Sequence, residues 1–371
     1  MLSKSPKSES NIVCLHPVIN ERGRVKNDDD THVFTVSLKD CLACSGCAIS
    51  EDEMSLLEHQ NPDKILETIK EKPGFHVIVS TAAIANFSAA RGISVHQSFH
   101  SIQNYFTELG ASSVIHDGFW QLVWRYLLIK EYQKECVAKP FIISRCPGTV
   151  LYLERKTDNA NYLAKLKPFP QLFALYEKSK RRDVPYILNI TPCYDRKLEI
   201  GRFEGDIDGA ISIGEIADKI KIVDNNDEIE RFPIKNDVYY MIQKLGNGKE
   251  IKITKNGNIE EYTCGDLIGA YICGEASLRR LSSNIEHGNC KYSIAEINLC
   301  PMSCFSGGGL IRKTNPRERK KLVQETIKIH QSIESNDCYD ENKIDSIVND
   351  LLQLNIKTDY HTTKTNDDFT F

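Results

Sequence analysis

The chain has 371 residues, 41% of them hydrophobic and 26% charged, with a formal net charge of −4 at pH 7. That mild negative balance argues against nucleic acid as the main partner, since phosphate binding needs a basic surface; no apolar run reaches the roughly 20 residues of a membrane span. Met1-Leu2-Ser3-Lys4-Ser5-Pro6 lacks the apolar core of a signal peptide, so a cytosolic, reducing setting is expected, in which the 13 cysteines serve as thiols or metal ligands rather than disulfides.

Residues 1–10 are polar and are expected to be disordered. Cys14 follows in a short apolar patch, Asn11 to Val18, and a charged loop closes on Asp28-Asp29-Asp30. Val33 to Leu38 alternates as a strand does and runs into Asp40-Cys41-Leu42-Ala43-Cys44-Ser45-Gly46-Cys47. The C-x2-C-x2-C spacing is three-quarters of the bacterial ferredoxin run, a tight loop able to offer three thiolates to one cubic cluster. No cysteine or proline follows in Ala48-Ile49-Ser50-Glu51-Asp52 to complete the run, which leaves Cys14 as the nearest candidate to complete the set. Zinc is the competing reading, although zinc sites usually take cysteines as separated pairs. A helix is predicted within 51–72, carrying Leu56, Leu57, Ile65 and Ile69, and Lys72-Pro73-Gly74 marks a boundary.

From there strands and helices alternate. Strands are predicted at 75–80, 113–117, 140–144, 186–190, 209–213, 271–273 and 292–297, with helices at 97–109 and 118–136. Apolar strands alternating with helices imply parallel sheets covered on both faces, an α/β architecture. Ligands in such folds sit beyond the carboxyl ends of strands. Four cysteines fall there: Cys146 in Ser144-Arg145-Cys146-Pro147-Gly148, Cys193 in Thr191-Pro192-Cys193, and Cys300 with Cys304 in the loop that ends in Gly307-Gly308-Gly309. Glycines in that loop would let backbone N–H groups approach a cluster's sulfides. Residues 222–263 turn polar and read as a hairpin insertion or surface excursion. Helices are predicted at 315–335 and 340–354, and the last stretch from His361 is polar. Cys136, Cys264, Cys273, Cys290 and Cys338 sit singly and read as small buried hydrophobes.

Five motifs in order carry a family resemblance: Cys-Leu-His-Pro at 14–17, the cysteine run at 40–47, Cys-Pro-Gly at 146–148, Thr-Pro-Cys-Tyr-Asp-Arg-Lys-Leu-Glu at 191–199 and Cys-Pro-x-x-Cys-x-x-Gly-Gly-Gly at 300–309. Over roughly residues 10–335 the chain resembles the iron-only hydrogenase-like proteins of cytosolic iron–sulfur assembly, the Nar1 or nuclear prelamin A recognition factor-like family. The resemblance implies a bilobal [FeFe]-hydrogenase large-subunit-like fold with a small N-terminal cluster domain. It implies one [4Fe–4S] cluster on Cys14, Cys41, Cys44 and Cys47 and a second on Cys146, Cys193, Cys300 and Cys304. The implied partners are the scaffold ATPases and a WD40-containing targeting complex; the implied location is cytoplasmic, extending to the nucleus. The domains then expected are a disordered start to residue 10, a cluster domain over 11–72, the hydrogenase-like unit over 73–312 with its insertion at 222–263, C-terminal helices over 313–358 and a flexible tail over 359–371.

Departures from true hydrogenases qualify the implied activity. The proton-shuttling cysteine that precedes the one matching Cys146 is replaced by Arg145, and Arg196 stands where a hydrogenase has a lysine near its diiron subsite. Arginine stays protonated and relays no protons near neutral pH, so a role without hydrogen chemistry is expected. A hydrogenase-type redox enzyme and a zinc-stapled interaction protein are the alternatives. Arg145, Arg196 and Lys197 either compensate buried cluster charge or lie at the surface, paired with Asp195 or Glu199. Leu310 and Thr191 stand where the family usually has Gln and Met. The terminal Phe371 matches an aromatic end that the targeting complex reads in this family.

Overall fold

The computed structural model describes residues 60–134, 139–183, 185–230, 236–333 and 340–363. The chain enters through α1 (Pro62–Lys70), where the Asn61 side chain accepts from the Asp63 N–H and Pro62 fills a first-turn position whose N–H would have no partner anyway. Its apolar stripe, Ile65, Leu66 and Ile69, is buried. There follow β1 (His76–Val79), α2 (Thr81–Arg91), α3 (Val95–Glu108), β2 (Ser113–His116), α4 (Gly118–Tyr132), β3 (Phe141–Ile143), α5 (Pro147–Lys156), α6 (Phe169–Ser179), β4 (Ile187–Thr191), α7 (Asp195–Arg202), β5 (Gly209–Ser212) and the short α8 (Ile213–Ile216). The chain continues through α9 (Asp237–Leu245), β6 (Lys252–Asn256), β7 (Ile259–Cys264), β8 (Leu267–Cys273), α10 (Glu275–Glu286), β9 (Ile294–Asn298), α11 (Pro316–Ser332) and α12 (Glu341–Leu351). Local chemistry sets several of these ends. Ser94 and Gln97 form a reciprocal capping box at the start of α3, and Gly92 ends α2 at φ 67°, a left-handed conformation that favours glycine.

Two sheets result. The first runs β2-β1-β4-β5 and is parallel throughout; the second runs β3-β9-β8-β7-β6. Every residue of β1, β3, β4, β5 and β9 is buried, as expected of strands covered by helices on both faces. The α/β architecture expected from the strand pattern is the one observed.

The second sheet departs from uniform parallelism. β3, β9 and β8 are parallel, whereas β8-β7-β6 is an antiparallel meander. Its hairpin turns at Gly257, φ 59°, within the stretch whose polarity suggested an excursion. β6 is a wholly exposed edge strand, so it has no apolar face to announce it. Helix α9, in the same stretch, buries Val238, Met241 and Ile242 in the core. A Cβ at Gly269 of β8 would meet Val238 at 2.6 Å; glycine there lets the helix lie directly on the strand. Residues 359–363, expected within a flexible tail, are held instead. The Thr363 N–H donates to the Glu154 carbonyl at 2.7 Å, and Tyr360 lies 5.5 Å from the Arg202 guanidinium. Among the described residues no helix is long and apolar enough to cross a membrane.

Candidate metal centre

Cys14, Cys41, Cys44 and Cys47 lie outside the described residues, as do Cys136, Cys338 and Phe371. The other four predicted ligands stand on strand-end loops. Cys146 follows β3 and caps the start of α5, with Pro147 next to it. Cys193 follows β4 by two residues, and Cys300 and Cys304 follow β9. Two sheets therefore contribute: Cys193 comes from the first, the other three from the second. Cys146 is buried and the rest are half-buried.

Their thiols sense one another. Burial pushes the Cys193 thiol well above its ordinary value, and the charges of Asp195, Cys146 and Cys304 push the same way. Cys300 is raised by burial, then by Cys146 and Cys304, and Cys304 by burial and Cys146. Three cations oppose this: Arg196 lowers Cys193 and Cys304, Arg145 lowers Cys304 and Arg312 lowers Cys300. No set of three or more His, Cys, Asp or Glu among the described residues converges closely enough for one metal ion.

The glycines at 307–309 also have a packing role. Gly309 donates its N–H to the Pro192 carbonyl at 3.0 Å. A Cβ at Gly307 would strike that same carbonyl oxygen, and one at Gly309 would strike Ser212. The glycines thus allow the Cys300–Cys304 loop to pack against the Cys193 loop, joining ligands from different sheets.

The cationic residues are buried rather than superficial. Arg196 is 6% exposed and donates to Glu199 at 2.6 Å and to the Arg145 carbonyl. Lys197 is equally buried but turns away from the thiols, donating to Glu215 at 2.7 Å and to the Gln60 carbonyl. Arg145 is gripped by Asp237 through two N–H groups and by Gln121 through a third. Asp237, fully buried, also accepts from Arg125 at 2.7 Å. Burial would raise the Asp237 carboxyl, but Arg145 and Arg125 outweigh it and hold it below the usual range. Burial lowers His330 to about 4, helped by the charges of Arg145 and Arg125, so the imidazole is neutral at pH 7.

Gln121, Arg145, Arg196 and His330 border a cavity of about 570 Å³ between the two sets of strand ends, and of the four thiols only Cys304 lines it. Sequence reading missed its floor. Tyr271 of β8 and Glu296 and Asn298 of β9 line it from one face of the sheet, with Tyr271 directly opposite Glu296. The alternate residues Ile272 and Ile297 enter an apolar core on the other face. A period of two inside the strands was the available signal.

Glu296 has a consequence for stability. Burial and the Asp237 carboxylate raise it to about 7, with Arg145 and Arg125 pulling back. The unfolded chain ionises it near 4.5, so between that pH and 7 the folded state binds more protons and stability falls as pH rises. The deficit above pH 7 is about 3 kcal/mol. Glu296→Gln is expected to raise Tm at pH 8 by several degrees and to leave it nearly unchanged at pH 4.5. Equal shifts at both pH values in thermal melts would show that the carboxyl is not held protonated.

Comparisons with known proteins agree with this geometry. Residues 75–248 match the model of the iron-only hydrogenase large subunit, C-terminal domain. A probable cytosolic Fe-S cluster assembly factor of Brugia malayi is 27% identical over 87% of this chain and 82% of its own length. The protein NAR1 of Arabidopsis thaliana is 26% identical over 78% and 76%, and cytosolic iron-sulfur assembly component 3 of Rattus norvegicus is 22% identical over 86% and 80%. The [FeFe]-hydrogenase HydA1 of Chlamydomonas reinhardtii superposes with a TM-score of 0.63 at 15% identity, covering 84% of this chain and 99% of that one. A HydA(deltaEFG) hydrogenase gives 0.61 at 16% identity, over 85% and 100%. These structural likenesses establish the hydrogenase large-subunit fold. Over most of its length the chain is similar to curated proteins named as cytosolic Fe-S cluster assembly factors and NAR1.

Proposed function

We propose that this chain is a component of cytosolic iron–sulfur protein assembly that binds two [4Fe–4S] clusters and has no hydrogenase activity. The observation that carries the reading is the meeting of Cys146, Cys193, Cys300 and Cys304, from three strand ends on two sheets, around buried cations. The donor set fits a cubane. Four thiols that feel one another's charge but do not close on a single ion suit a cluster in which each iron takes one thiolate. The oxidised cluster with four thiolates carries about two negative charges, and Arg196 and Arg145 face the sulfurs to offset them. Cys14, Cys41, Cys44 and Cys47 would hold the other cluster in an N-terminal domain ending near residue 72.

The case against hydrogen chemistry rests on Arg145. Its guanidinium is tied by Asp237 and Gln121, and burial, which would lower it, is outweighed by Asp237, so it stays above the ordinary arginine value. A group that never gives up its proton fixes charge and cannot shuttle. The names of the relatives support a place in cytosolic assembly. In this proposal the chain stands between scaffold ATPases and a WD40-containing targeting complex, with Phe371 as a contact for the latter. A cytoplasmic and nuclear distribution accompanies that role.

The test is one anaerobic preparation of the full chain, analysed for iron, sulfide and infrared absorption. The expected content is about eight iron and eight sulfide per chain, with no bands from CO or cyanide ligands. Those bands, or hydrogen evolution with a strong reductant, would establish the hydrogenase-type reading that the fold alone permits. Zinc without sulfide would establish a zinc-stapled protein.

A further inference from the structure

The cavity beside Cys304 holds an unsatisfied donor. Asn298 is 3% exposed, lines the cavity, and its Nδ2 has no hydrogen-bond partner. A buried amide N–H without an acceptor costs roughly 1–3 kcal/mol, so the site is built for something that brings one. Register shows what stands beside it. Ile143 of β3 pairs with Glu296 and Asn298 pairs with Cys273, and the Ser144 hydroxyl reaches the Ile297 carbonyl at 3.2 Å. Arg145 and Asn298 therefore follow neighbouring strands, about 4.8 Å apart, and both line the cavity.

Donors and acceptors here are unequal. The acceptors are already served by protein donors. Glu296 takes the Val238 N–H at 3.0 Å, Asp117 takes the Thr81 N–H at 3.1 Å and Gln121 at 2.7 Å, and Asp237 takes two arginines. The donors are not used up. Arg145 gives three N–H groups to Asp237 and Gln121, leaving about two of its five.

We propose that Arg145 and Asn298 form the floor of a binding site for a small organic monocarboxylate. Its carboxylate accepts from Asn298 and Arg145, and its body lies against Phe169, Tyr262 and Phe305, which line the same cavity. The volume suits a small molecule with an organic body better than a bare inorganic ion.

The full chain, purified anaerobically with its iron content measured on the same sample, is titrated calorimetrically with benzoate, benzamide and sulfate. Saturable one-site binding of benzoate is expected, at least tenfold tighter than that of benzamide or sulfate. Asn298→Asp puts an acceptor where the free donor stood and is expected to weaken benzoate at least tenfold with iron content unchanged. Benzamide or sulfate binding as tightly as benzoate, no saturable binding, or a folded Asn298→Asp variant that binds benzoate normally would each overturn the site. Should that variant fail to fold, the comparison of the three probes on the unaltered chain still decides. Iron content is read separately, so a failure of the cluster assignment is not mistaken for a failure of this site.

Discussion

Replacing Asp237 with alanine is expected to destabilise the folded chain by about 3–5 kcal/mol, the range for removing one partner of a buried ion pair. Asp237 is fully buried and serves two guanidiniums, Arg125 at 1% and Arg145 at 16% side-chain exposure. Removing it leaves two cations beside each other with Glu296 and Asp117 nearby, and burial pushes both of those carboxyls toward the neutral form. A fall in Tm of roughly 10 °C follows for a domain of this size. Asp63→Ala is the control. Asp63 pairs with Lys219 at 2.6 Å with side chains 73% and 45% exposed, an arrangement worth about 0–1 kcal/mol. The carboxyl of Asp237 is depressed in the folded state, so its contribution is fully present above the ordinary carboxylate range and is lost as pH falls through the lower folded value. The gap between the two variants' melting temperatures should therefore narrow in acid. A gap no larger than the error of the melts at pH 7 would mean that the arginines find other partners.

Asp237 also marks the limit of what was legible beforehand. It lies in the polar stretch 222–263, and its neighbours Asn236 and Lys235 gave no hint of a core residue. Only tertiary structure brings it under Arg145, 92 positions earlier in the chain. The strands were visible because parallel strands buried on both faces must be apolar throughout, as His76-Val77-Ile78-Val79 and Ile294 to Asn298 nearly are. The four thiols were visible because strand ends are where ligands bind in α/β sheets. Glycines 307–309 were visible as a special loop, but their loop-to-loop packing role depends on a segment more than a hundred residues away.

The two cluster sites are expected to respond differently to loss of a ligand, and this is the second large effect. Cys44→Ala and Cys146→Ser should each reduce iron from about eight to about four per chain. Cys146→Ser, however, acts where loops from two sheets meet. Cys146 and Cys300 extend β3 and β9, Cys193 extends β4, and a cluster would cross-link them. Without it, thiols that burial and one another keep protonated face Arg196 and Arg145, whose charges then lack the anion they oppose. Part of the junction survives through the Gly309 to Pro192 hydrogen bond, so the variant should still fold but melt at least roughly 10 °C lower, while Cys44→Ala stays within about 3 °C of the unaltered chain. Ligand thiols must lose protons to bind, so retention of the second cluster should also improve from pH 6 to pH 8. Iron analysis and thermal melts on the same anaerobic samples read all of this. Equal melting temperatures for the two variants would show that the second cluster, whatever its function, does not bind the sheets together.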